Sequence, residues 1–99
     1  MKTLTRGYHH TAFGTRDAAA TYAFYHEQLG MPLVHTEQHR SGDGWFRHFF
    51  FDLGDGQLLG FFEFENIGEK DSYRTDVSGG LGTPPWVNHL AFDIGDEQR

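Results

Sequence analysis

Residues 7–14 (GYHHTAFG) alternate apolar with polar positions and are rich in β-formers, so they predict a first strand. The pattern then changes period. Ala18, Tyr22, Tyr25 and Leu29 recur at helical spacing and predict a half-buried helix from Ala18 to Leu29, with Asp17 the best-placed N-cap in Thr15-Arg16-Asp17. Gly30 stands where a terminating glycine belongs, and Pro32 follows. Met31–His39 and Trp45–Leu53 read as strands separated by the turn Arg40-Ser41-Gly42-Asp43-Gly44. Gly54-Asp55-Gly56 closes a tight hairpin into a fourth strand, Gln57–Glu65. After a polar, glycine-rich stretch without periodicity, residues 85–94 (PWVNHLAFDI) alternate again and predict a further strand.

The order is strand, helix and three strands, one βαβββ unit of the α+β class over 1–66, followed by a loop or linker over 67–84 and a further strand segment within 85–99. Tyr8-His9-His10-Thr11-Ala12-Phe13 and Val87-Asn88-His89-Leu90-Ala91-Phe92 form a weak internal repeat that sets His10 and His89 at equivalent places.

Candidate chemistry follows from this repeat. His10, Glu63 and His89 each fall mid-strand, and two imidazoles with one carboxylate suit a divalent ion such as Zn, Ni, Mn or Fe(II). Strand parity sets His10 with Tyr8 and Ala12, His89 with Val87 and Ala91, and Glu63 with Phe61 and Glu65. Packing the opposite residues, including Phe62 and Phe64, against the helix would leave the three candidates together on the other face. A lone strand histidine is more often a core or edge residue, and a lone hairpin Glu is more often solvated. Their repeated and shared placement raises them above that reading. His26, His35, His39 and His48 are expected to be solvated or hydrogen-bonded surface residues.

Composition narrows the partners. The 99 residues allow one domain, and 16% aromatic content with ten Phe predicts a core of large rings. A net charge of −6 and no Lys/Arg cluster argue against nucleic acid. The absence of cysteine excludes disulfides and thiolate chemistry. No apolar run is long enough for a signal peptide or a membrane span, so a soluble cytoplasmic protein is the default expectation.

His10-Thr11-Ala12-Phe13, Arg16-Asp17, Phe24-Tyr25-His26-Glu27-Gln28-Leu29-Gly30-Met31, Phe61-Phe62-Glu63-Phe64 and Asn88-His89-Leu90-Ala91-Phe92 resemble the vicinal oxygen chelate superfamily. That group holds glyoxalase I, bleomycin-resistance proteins and extradiol dioxygenases. The resemblance implies paired βαβββ modules forming a cup around one metal, with ligands from the first and fourth strands of each, so that 1–66 is a first module, 67–84 an inter-module loop and 85–99 the start of a truncated second module. By position His10, Glu63 and His89 match three of the four ligands, and the fourth would lie beyond Arg99.

The expected function is therefore a metal-dependent, glyoxalase-like lyase or isomerase acting on a small molecule with neighbouring oxygens. Glu63 would be both ligand and proton shuttle. One alternative is an extradiol-type ring-cleaving dioxygenase with Fe(II) or Mn, whose carboxylate comes from the second module. For it, Trp45, Phe50, Phe61 and Trp86 would line a pocket for a flat ring. Another is a metal-free drug-binding module. The sequence further suggests a fragment of a longer two-module enzyme, inactive alone, or a homodimer that closes the cup.

Overall fold

The computed structural model describes residues 3–68 and 73–95. Strand β1 (His10–Gly14) leads into helix α1 (Ala18–Tyr22), which continues as a π-helical stretch over Ala23–Gln28. Three long strands follow: β2 (Leu33–Ser41), β3 (Gly44–Gly54) and β4 (Gln57–Glu65). They form a four-stranded sheet in the order β1-β4-β3-β2, with β1 parallel to β4 and the other neighbours antiparallel. The expected βαβββ unit and α+β class are what the chain adopts.

Local chemistry explains the element ends. Asp17 accepts a hydrogen bond from the Ala20 amide at 3.0 Å and caps the helix. At the β3–β4 hairpin, Asp55 and Gly56 have φ of 58° and 78°, the left-handed pair that matches a two-residue connection to the twist of its strands.

One side of the sheet holds the core. Phe49 and Phe51 of β3 and Leu59 and Phe61 of β4 are buried there, and Phe13, Ala18, Tyr22, Tyr25 and Met31 pack against them. Each of the four buried Phe and Leu side chains contributes about 1.5–3 kcal/mol through burial. The helical stripe holds as far as Tyr25 and then drifts. The wider π turn, seen in Leu29 N–H donating to the Phe24 carbonyl at 3.1 Å, carries Leu29 round to 47% exposure. Met31 takes up the core contact instead.

Residues 85–95 contain no strand, which corrects the alternation-based expectation. Alternation marks a half-covered surface, whereas a strand also needs a neighbour's hydrogen bonds. Leu90, Ala91, Phe92 and Asp93 instead border a cleft beside Tyr8, Thr11 and the β3–β4 hairpin. Ser78, itself buried, anchors this segment: it accepts from the Asn88 amide at 2.6 Å and donates to the Asn88 carbonyl at 3.2 Å. Residues 96–99, the end of the expected second module, lie outside the described residues, as do 69–72 of the connecting loop. No helix is long and apolar enough to cross a membrane among the described residues.

Candidate functional site on the open sheet face

The sheet face away from the helix is lined by rings. His48 stacks on Phe62 with centroids 3.7 Å apart and planes at 15°. Phe50 lies 4.2 Å from His48 and meets the edge of His10 at 5.7 Å. Phe46 approaches Phe62 at 5.9 Å, and Phe64 packs on Tyr73 at 4.4 Å. Phe46, Phe62, Phe64, Ile67, Gly68 and Tyr73 enclose an apolar cleft of about 360 Å³.

Gly60 gives this face its shape. A Cβ at that position would meet the Phe50 ring at 2.7 Å and stand 3.5 Å from His48 Nε2. The missing side chain is what lets both rings settle over β4.

His10 is exposed at the start of β1, with its Nδ1 2.9 Å from His9 Nδ1. On β2, Glu37 accepts from His35 Nε2 at 2.6 Å and from His39 Nε2 at 2.9 Å. Those bonds, with His39 the larger influence and His35 next, hold the Glu37 carboxyl down at about 2. His48 stands opposite Glu37 in the β2–β3 ladder. Burial pushes the His48 imidazole below its ordinary value, because the charged ring loses hydration there. Its Nε2 is buried with no hydrogen-bond partner among the described residues.

Glu63 points the other way. Its Oε1 accepts from Arg47 Nη1 at 3.1 Å, and its Oε2 accepts from the Ala18 amide at the helix start, also at 3.1 Å. It thus sits on the helix side with Phe61, away from His10. His89 is exposed, lies in no strand, and has its Nδ1 3.3 Å from the Val87 carbonyl oxygen. The structure therefore does not bring His10, Glu63 and His89 to one point. Among the described residues no three His, Asp or Glu side chains converge to hold a metal. The donor set in this arrangement does not fit the ion that the resemblance implies.

The four aromatic residues expected to line a pocket are dispersed too. Phe50 is on the open face, whereas Phe61 is in the core. Trp45 lies beside the Arg47 guanidinium at 5.6 Å, and Trp86 is 77% exposed. Of the histidines expected at the surface, His35 and His39 are exposed and hydrogen-bonded, and His26 Nδ1 lies 2.8 Å from the Met31 carbonyl oxygen. His48 departs from that expectation. Its alternation with Phe46 and Phe50 in Trp45–Leu53 was the available signal, because it sets an imidazole within an aromatic row.

No curated protein and no solved structure was found to match this chain significantly. A family model does match, over residues 7–96, which takes in the whole sheet, the helix and the segment carrying His89. With the βαβββ topology on which it falls, that match shows that the chain belongs to the Glyoxalase/Bleomycin resistance protein/Dioxygenase superfamily.

Proposed function

We propose that this chain supplies the binding wall of a small-molecule-binding member of the superfamily, taking a flat aromatic compound on the helix-free face of its sheet. The observation that carries this reading is the content of that face: Phe46, Phe50, Phe62 and Phe64, interleaved with imidazoles and left uncovered by the helix. Offset and edge-on ring contacts favour a planar aromatic guest, and the cleft of about 360 Å³ falls within the range of small-ligand sites. The rings of Phe46, Phe62, Phe64 and Tyr73 would exclude water from the guest.

Titration with indole, followed by side-chain NMR of the Phe and His rings, tests this reading. Shifts should concentrate on Phe46, Phe50, Phe62 and His48 and weaken several-fold in Phe62→Ser. Shifts confined to Phe49, Phe51 and Phe61 would overturn it.

A second reading is favoured by the place of His10 on this same face. In it the protein is a metal-dependent lyase or ring-cleaving dioxygenase, using Zn, Ni, Mn or Fe(II) on a substrate with neighbouring oxygens. Glu63 does not support this reading as ligand or proton shuttle, since both its oxygens are engaged behind the sheet. Metal analysis of tag-free protein decides between the two. A stoichiometric ion lost in His10→Ala favours the enzyme, and equal metal content in both proteins favours the binding wall.

A further inference from the structure

His48 Nε2 is a buried polar atom of the open face that has no hydrogen-bond partner among the described residues. The His48 ring is held between Phe62 at 3.7 Å and Phe50 at 4.2 Å, and its Nε2 is buried beside the Phe50 ring that lies over Gly60. Glu37, directly across the ladder, is the nearest carboxylate in register, yet its two oxygens are turned to His35 and His39. His10, on the neighbouring side of Phe50, bonds with His9. No other charged group on this face reaches Nε2 among the described residues. Buried polar atoms are nearly always satisfied, so one left free in an aromatic wall is a place where a bound molecule completes the bonding.

We infer that His48 selects the occupant of this face: its Nε2 exchanges a hydrogen bond with a hydroxyl or amino group on a flat ring, so the ligand class is a hydroxylated or aminated aromatic rather than a hydrocarbon. This rests on the binding-wall reading and adds the group that the ligand must carry. The neutral imidazole suits the role, because it offers one nitrogen lone pair and one N–H and so can accept from a hydroxyl or donate to it. The guest reaches Nε2 by displacing the edge of Phe50. That ring stands on the open face and takes no part in the buried cluster of Phe49, Phe51, Leu59 and Phe61. Gly60 leaves the room over β4 that the Phe50 ring now takes, and it is this room that the guest would share.

The test uses two probes of the same shape, phenol and toluene, titrated into the whole chain by NMR. The wild type should bind phenol about tenfold more tightly, the factor that one net hydrogen bond of ordinary strength provides. Phenol should also move the 15N resonance of His48 Nε2, a readout that needs no variant. His48→Phe keeps a ring between Phe50 and Phe62 and should bind both probes with equal affinity. Equal affinities in the wild type, a phenol preference that survives His48→Phe, or an unmoved Nε2 resonance would overturn the role of His48 while leaving the binding wall standing. Failure of both probes to bind would overturn the binding wall itself.

Discussion

The sharpest consequence of the structure concerns Glu63, because its two placements predict opposite outcomes for one substitution. As a metal ligand, Glu63 would affect ion content and leave the fold largely alone. In the arrangement found, it ties β4 to the start of α1 and neutralises Arg47 on β3. The pair with Arg47 is partly exposed, with side chains 38% and 22% accessible, so solvent screening holds its worth to roughly 0.2–1 kcal/mol. A carboxylate at a helix N-terminus adds roughly 0.3–1 kcal/mol, and its bond to the Ala18 amide satisfies a donor that has no partner within the helix.

Glu63→Gln keeps an acceptor and loses the charge, so it should cost about 1 kcal/mol. Glu63→Ala also loses the hydrogen bonds and should cost about 2 kcal/mol. In a chain of this size, 1 kcal/mol lowers the melting temperature by roughly 4–8 °C. Glu65, exposed at the strand end, is the control, and Glu65→Gln should fall within about 0.5 kcal/mol of the wild type. Urea unfolding followed by circular dichroism measures all three, and a cycle with Arg47→Leu isolates the pair. A Glu63→Gln protein of unchanged stability that had lost a bound divalent ion would refute this account and restore Glu63 to a metal site.

Two further outcomes follow from the packing and from the ring of His48. Phe51→Ala empties a fully buried position beneath Tyr22 and Tyr25 and should cost about 3–5 kcal/mol, a large share of a small domain's stability, read as a lower urea midpoint. The folded state holds His48 below its ordinary value, so the unfolded chain takes up the proton first as pH falls. The contribution of His48 is therefore fully present above about 6.5 and lost as pH drops below it. The difference in urea midpoint between wild type and His48→Phe should shift against the wild type from pH 7.5 to 5, and a flat difference would remove burial as the cause.

The elements were legible because their signals are local. Asp17, the Asp55-Gly56 hairpin and the run Gln57–Glu65 each fix backbone geometry within a few residues. The face assignment was not legible, for a reason visible in β4. Phe61, Phe62 and Phe64 place apolar rings on both parities, so alternation shows that Phe61 and Glu63 share a face without telling which face meets the helix. The deciding fact is the parallel register of β1 on β4, which sets Phe13 opposite Phe61. Phe13 belongs with the helix, and Phe61 and Glu63 follow it. His89 misled differently: its surroundings alternate as β1 does, but no strand edge receives them.

The same ambiguity carries a functional meaning. A strand that packs one face and wets the other needs large apolar side chains on one parity only. Both β3 and β4 carry them on two: Phe49, Phe51 and Phe61 against the helix, and Phe46, Phe50, Phe62 and Phe64 away from it. One short helix can cover only the first set. The second set is surplus to the core, yet it is ordered ring against ring around Gly60 and His48 rather than scattered. Large apolar rings kept on an uncovered face imply a contact that recurs often enough to offset their exposure. On the proposed reading, a small flat guest is the contact that would use both the ring-lined face and the unpartnered imidazole.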